Sequence, residues 1–452
     1  MSSRTLGVRR RAIMDELRAV LDAGRISDMD DVRAVARRAG TATSLALEEY
    51  WARSGVHYGP IDIVDLFGGC GGMSAGFRAF NGAMPAFRLA AAVDIDPVAS
   101  RTYAVNLGLT PALESVTELR RRRVLLREVV GDSRRSGHPL VLIGCAPCQG
   151  FSSHRNSAGA DDGRNSLFVD FAYVAASLRP DAVIVENVPE LLTDLHWAFV
   201  ARARGILERA GYRTHLSVHN MAEFGVPQQR FRTLLLAFPH RFEPVAPLLS
   251  SENFRTVRQA IGDLPRITAG QRHPDDPMHY STAHRESTIE TIRAVPRDGG
   301  SRPPDVGPDC LRRIEQRQGK PGYEDVYGRL HWDRPSITIT ASARNPASGR
   351  FVHPVQNRGL SIREAALLQG FPRAYRFEGS LDDCFRQIGN AVPPIFAASL
   401  AGHVLGELVG KGLPGRAFSR GIEEPIGTSF ARRIPGIKAS HRRLLRAAAG
   451  VT

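Results

Sequence analysis

The stretch Ile61-Asp62-Ile63-Val64-Asp65-Leu66-Phe67-Gly68-Gly69-Cys70-Gly71-Gly72-Met73 decides the fold of this chain. A β-rich run passes straight into a glycine cluster and then into a helical pattern. Glycines at that point let the backbone turn tightly and approach a ligand at a helix N-terminus, as in the first strand-to-helix unit of an open α/β sheet. Downstream, short strand-like runs keep alternating with amphipathic stretches. Strands are predicted at 61–67, 88–94, 140–145, 182–186 and 233–238, and helices at 97–107, 113–130, 166–178 and 190–210. Such alternation predicts an α/β fold with a mostly parallel sheet.

The ends of those strands carry the chemistry. The second closes in Asp94-Ile95-Asp96, roughly twenty residues after the glycines, where a doubly wound fold places an acid for ribose hydroxyls. Together the two elements point to an adenosine-containing cofactor, with a purely structural glycine turn as the alternative. Ser74 stands where a dinucleotide fingerprint wants its third glycine, which weighs against NAD. The third strand ends in Gly144-Cys145-Ala146-Pro147-Cys148-Gln149-Gly150-Phe151-Ser152. Cys145 and Cys148 permit a redox pair, half of a zinc site, or a single nucleophile. The fourth strand ends in Glu186-Asn187-Val188-Pro189, which favours the nucleophile, because acid and thiol at neighbouring strand ends can face one pocket. A lone glutamate there is otherwise more often a helix N-terminal charge.

The chain has 452 residues, enough for two or three folding units. With 42% hydrophobic and 23% charged residues, it reads as an ordinary globular protein. No apolar run approaches the roughly 18 residues of a membrane helix, and Asp15, Glu16 and Arg18 interrupt any signal core. Five cysteines, spread thinly, argue against a disulfide framework and for a reducing cytoplasm. The net charge of +14 favours a polyanionic partner. Half of that excess lies in residues 411–452, with nine basic and two acidic side chains, where a merely solvated tail is the plain alternative.

Six segments, in this order, resemble the C5-cytosine DNA methyltransferases of bacterial restriction-modification type: Asp65 to Gly72, Pro147-Cys148-Gln149, Glu186-Asn187-Val188, Gln228-Gln229-Arg230-Phe231-Arg232, Leu368-Gln369-Gly370-Phe371-Pro372 and Gln387 to Pro394. The resemblance covers about residues 60–405. It implies a Rossmann-like, S-adenosylmethionine-dependent methyltransferase fold with a smaller, irregular target-recognition domain. It implies Cys148 as the thiolate that adds to C6 of a flipped-out cytosine, Glu186 as the acid that shares a proton with N3, and Arg230 and Arg232, pointing to one side, as steadying groups. The cofactor would be S-adenosylmethionine, held by Phe67, Gly69, Gly71, Asp94, Ile95, Pro147, Leu167 and Asn390, with no metal. Ile95 stands where many relatives have Trp, so adenine stacking would become aliphatic packing.

On this reading, 1–58 is an N-terminal helical extension, with a possible cap at Ser27 or Asp28. Residues 59–240 form the first part of the catalytic domain, 241–355 the target-recognition domain, 356–410 the returning part and 411–452 a basic tail. The region 241–355 nets only +3 and is rich in Pro, Gly, Arg and His; its Arg, His and Asn side chains would read bases in the major groove. The implied partners are double-stranded DNA and a cognate endonuclease acting on the same site without a stable complex. A monomer in the cytoplasm, associated with the nucleoid, is expected. The competing functions are an RNA cytosine-5 methyltransferase of the same fold and a DNA-binding scaffold without chemistry.

Overall fold

The computed structural model describes residues 31–54, 59–131, 137–147, 166–318, 325–410 and 418–426. The chain divides into two compact units. The first holds residues up to Asn220, Phe231–Leu248 and everything from Pro394; the second holds Met221–Arg230 and Leu249–Pro393.

The first unit is built on a six-stranded sheet of β1 (Ile61–Leu66), β2 (Phe87–Val93), β3 (Leu140–Gly144), β4 (Ala182–Asn187), β5 (Arg213–Asn220) and β6 (Phe231–Phe238), in the order β2-β1-β3-β4-β6-β5. The first four run parallel, while β6 is antiparallel to both β4 and β5. This is a mixed, mostly parallel α/β sheet, as the alternation of strands and helices predicts. Every residue of β1, β3 and β4 is buried, as expected of parallel strands with both faces covered. The order reverses between β1 and β3, and in open α/β sheets ligands bind outside the carboxyl ends of strands at such a point.

Strand β5 is absent from the sequence reading because its alternation of Arg213, His215, Ser217 and His219 with apolar neighbours looks like an exposed strand. In the fold it is nearly all buried. The segment after Phe418 covers it: Leu216 N–H donates to Arg420 O at 3.1 Å, and Ile422 N–H donates to Leu216 O at 2.8 Å. Arg204 donates to Ile422 O at 2.7 Å. Part of the basic tail is therefore structure, and it covers a sheet edge that would otherwise invite pairing.

Two predicted helices are broken. Arg122, at φ −113° and ψ 90°, separates Val116–Arg121 from Arg123–Val130, and a short 3₁₀ turn at Pro189–Leu192 precedes Trp197–Arg209. Pro97–Leu107 forms as expected, with Pro97 at its start and the Asp96 carboxylate accepting from Val98 and Ala99 N–H. The N-terminal helix Asp31–Leu45 packs on Pro394–Val409, whose residues are all buried. The two backbones meet at glycines, since a Cβ on Gly402 would lie 2.7 Å from Gly40 Cα. Arg37 reaches Glu243 at 2.6 Å and Glu407 at 2.7 Å, and Ser44 Oγ donates to Ile395 O at 2.8 Å. The proposed caps at Ser27 and Asp28 lie outside the described residues.

The second unit has short helices, among them Glu286–Ala294, Ile362–Leu368 and Leu381–Asn390, and, among the described residues, isolated bridges in place of a sheet. Buried arginines organise it. Arg329, 1% exposed, donates to the carbonyls of Ile292, Val295, His353 and Gln356 and to Asn357 Oδ1. Arg358 grips both Glu364 oxygens, at 2.6 and 2.7 Å, and bonds Ile267 O. Although Glu364 is buried, Arg358 leads the groups that hold its carboxyl down at about 2. These long-range bonds put residues 356–393 in the same unit as 249–355, so the unit extends past the compositional boundary at 355.

Candidate active site

At the carboxyl end of β1 the backbone enters the left-handed region three times within five residues: Phe67 at φ 65°, Gly69 at 52° and Gly71 at 86°. Glycine takes such angles freely, whereas a bulky phenylalanine pays on the order of 1–3 kcal/mol, so neighbouring bonds must hold the turn. Gly68 N–H donates to Val93 O at 3.0 Å, and Gly69 N–H donates to Asp94 Oδ2 at 2.7 Å. The other Asp94 oxygen accepts from Asp96 N–H at 2.8 Å. Asp94 therefore ties the ends of β1 and β2 together.

The features of this turn fit an adenosine group. Nothing lies within 4 Å of a Cβ built on Gly69, and Ile95, an aliphatic side chain, is 71% exposed beside it. The helix Gly72–Phe80 begins at Gly71, so its N-terminal N–H groups face the same turn. Beneath it, Ser74 Oγ donates to Asp65 Oδ2 at 2.6 Å and accepts from the Tyr103 hydroxyl at 2.8 Å. Burial pushes the Asp65 carboxyl up to about 7, against the pull of the Ser74 hydrogen bond and with help from the nearby Asp94 charge. Burial also pushes the Cys70 thiol far up, so that side chain is chemically quiet.

At the ends of β3 and β4 stands a second cluster. Glu186 is 2% exposed, with Arg232 Nε 3.0 Å from Oε1 and Cys145 Sγ donating to Oε2 at 2.9 Å. Asn187, also buried, donates to Ala146 O at 3.1 Å and accepts from Val188 N–H at 2.8 Å. It thus pins the strand end that leads through the half-buried Pro147 to Cys148. Gly144 is required there, because a Cβ would come within 2.7 Å of Leu66 O and 2.6 Å of the Phe171 ring. Cys148 itself lies outside the described residues. Leu167, half-buried, opens the helix Leu167–Leu178.

Within the second unit, Arg230 is 2% exposed and donates to the carbonyls of Ile339 at 3.1 Å, Gly389 at 2.9 Å and Ala391 at 3.3 Å. The last two flank Asn390, whose own side chain is exposed. Gln369 Nε2 donates to Ala391 O at 2.7 Å, and Gln228 Nε2 donates to Gln369 Oε1 at 2.8 Å. Three motifs far apart in sequence are thereby bonded into one buried network.

The structure thus brings Glu186 together with Arg232, Gly69 with Asp94, and Arg230 with the backbone around Asn390. The duty expected of both arginines divides: Arg232 faces the carboxylate, while Arg230 is spent on backbone carbonyls. Asn187 and Cys145 carry bonds that motif reading passed over. Their signal was position, Cys145 just past the end of β3 and Asn187 the last residue of β4, next to Glu186. Two arginines of the region expected to read bases, Arg302 and Arg329, are buried instead, whereas Arg266, Arg285 and Arg297 are exposed.

Residues 61–405 match the family model described as C-5 cytosine-specific DNA methylase. The chain is 32% identical over 368 residues to the Type II methylase M.HgiDII of Herpetosiphon aurantiacus, covering 80% of this chain and 97% of that protein. It is 34% identical over 344 residues to the Type II methyltransferase M1.HphI of Haemophilus parahaemolyticus, covering 76% and 86%. Among solved structures, a prophage-encoded E. coli protein described as a DNA modification methyltransferase shares the fold, with a TM-score of 0.57 at 22% identity over 76% of this chain and 98% of that one.

Proposed function

The chain belongs to the C-5 cytosine-specific DNA methylase family, and from that premise we propose that it methylates C5 of a cytosine flipped out of duplex DNA, through a covalent bond between Cys148 and C6. The observation that carries this reading is the buried Glu186 carboxylate, placed by β4 beside Arg232 and beside the strand end leading to Cys148.

Cytosine C5 is a poor nucleophile until the ring is dearomatised. The Cys148 thiolate forms the S–C6 bond, and the charge moving into the ring is relieved at N3 by a proton shared with Glu186. C5 then carries enamine electron density and is nucleophilic toward a methyl group, which S-adenosylmethionine would supply as its methyl–sulfur bond breaks and the sulfur leaves as a neutral thioether. Loss of the C5 proton and departure of Cys148 as thiolate restore the aromatic ring. Flipping is needed because C6 cannot be reached in the base stack.

Use of S-adenosylmethionine is implied by the family; when bound, it supplies an electrophilic methyl group on a sulfonium. Phe67, Gly69, Gly71, Asp94, Ile95, Pro147, Leu167 and Asn390 are the residues proposed to hold it. The two Asp94 oxygens each accept one backbone N–H and keep a further lone pair for a ribose hydroxyl. Residues 241–355 would select the target, and the enzyme would protect cytoplasmic DNA against an endonuclease of the same specificity.

Bisulfite sequencing of DNA from cells expressing the chain tests the proposal. Protection of cytosine within one short sequence is expected. Unmodified DNA would overturn it, and modified tRNA with unmodified DNA would reassign the substrate.

A further inference from the structure

The register of β3 on β4 pairs Gly144 with Val185, so the next residues along the two parallel strands, Cys145 and Glu186, come to lie side by side. The Cys145 thiol donates to Glu186 Oε2 at 2.9 Å, while Oε1 faces Arg232 Nε at 3.0 Å. The carboxyl group is thus flanked by different groups, hydrogen-bonded to Cys145 through Oε2 and ion-paired with Arg232 through Oε1, and each oxygen keeps a lone pair for a further partner. A thiol is a weak donor to neutral acceptors, but a hydrogen bond to a carboxylate that is 2% exposed gains from charge and from the loss of competing water. The backbone carrying the thiol is also held, because Asn187 binds the carbonyl of Ala146, the residue after Cys145.

We infer that Cys145 is a positioning residue for methyl transfer: its thiol fixes the orientation in which Glu186 meets the cytosine ring. The inference rests on the reading of Glu186 as the acid that serves N3. It makes Cys145 neither a second nucleophile nor half of a redox pair, since in this arrangement its S–H is engaged as a donor. Serine keeps a donor at the same place on a shorter arm, while alanine removes it.

The test is steady-state and single-turnover methylation of a DNA duplex by the full-length parent, Cys145→Ala, Cys145→Ser, Glu186→Gln and the Cys145→Ala/Glu186→Gln double variant. S-adenosylmethionine affinity and melting temperature are measured in parallel to exclude misfolding. Cys145→Ala is expected to lower kcat roughly tenfold, the worth of one hydrogen bond to a charged group, with KM for DNA within about twofold of the parent. Cys145→Ser is expected to recover most of that loss. On the Glu186→Gln background the alanine substitution should cost nothing further, because it acts through Glu186. Full activity of Cys145→Ala, or equal loss in the serine and alanine variants, would overturn the inference while leaving the Glu186 reading intact. An active Glu186→Gln enzyme would overturn the Glu186 reading itself, and the inference with it.

Discussion

Arg232 Nε lies 3.0 Å from Oε1 of Glu186, and the antiparallel pairing of β6 with β4 puts it there. That ladder pairs Asn187 with Thr233 and Glu186 with Leu234, so Arg232 stands one residue past the last rung, at the carboxyl end of β4. An all-parallel sheet would carry the same arginine to the opposite edge. The single reversed strand is therefore what gives the acid its cation.

Arg232→Ala should lower the single-turnover methylation rate by about a hundredfold, because it leaves a buried carboxylate without its charged partner. Arg232→Lys should recover only part, since one ammonium lacks the guanidinium fork. Cofactor affinity, read by calorimetry, should change little. A variant that loses cofactor binding in proportion to rate would show the arginine to be structural.

Replacing Cys148 with serine should abolish methyl transfer and leave DNA binding nearly intact, because a hydroxyl supplies no populated anion near neutral pH. Duplex DNA carrying 5-fluorocytosine should trap the parent enzyme in an adduct that survives denaturing electrophoresis, since fluorine at C5 blocks the last elimination. Active enzyme without such an adduct would contradict covalent addition.

Asp65 sets a pH dependence of stability. Its carboxyl is pushed up to about 7 in the fold from an ordinary 3.8, so the folded state binds that proton more tightly than the unfolded chain. Its contribution is full below about pH 4 and is lost as the pH climbs through 7. Asp65→Asn should therefore gain stability over the parent as the pH rises from 4 to 7 and level off near 8, with a ceiling on the order of 4 kcal/mol. Denaturant melts at stepped pH measure this difference; a gain that is flat across the range would deny the raised carboxyl.

Arg230→Met roughly keeps the volume of the side chain but takes the Arg230 donor from the carbonyls of Ile339 and Gly389, while Ala391 O keeps its bond from Gln369. A loss of about 2–4 kcal/mol is expected, concentrated in faster amide exchange around residues 388–391. Uniform exchange changes across the chain would argue against a local clamp.

Two truncations separate structure from charge in the tail. Removing residues 427–452 takes away six basic side chains and no acidic one, so DNA binding should weaken for all sequences alike and depend less on salt, with the methylated site unchanged. Cutting before Phe418 also strips the cover from β5 and should lower the melting temperature. Unchanged affinity and salt slope in the shorter deletion would mean a merely solvated tail, and a changed target site would mean that the tail reads bases.

Much of this protein was legible along the chain, because the deciding signals are local. A strand running into Gly69 and Gly71, an acid after a second strand, and a cysteine and a glutamate after two more are properties of neighbouring residues. They are enough to predict the α/β sheet and its working edge. Strand β5 escaped because its polar residues are buried only once residues near Ile422 and the helix holding Arg204 close over them. The different work of Arg230 and Arg232, two positions apart, could not be read from spacing either. One guanidinium finds carbonyls more than a hundred residues away and the other finds Glu186 across an antiparallel ladder. Once the nucleophile reading was favoured, the sequence left Cys145 without a role, and only strand register sets its thiol against a carboxylate. Local pattern follows from backbone sterics and hydrophobic periodicity within a few residues, whereas partner choice for a buried polar group depends on which distant donor or acceptor the closed fold brings within about 3 Å.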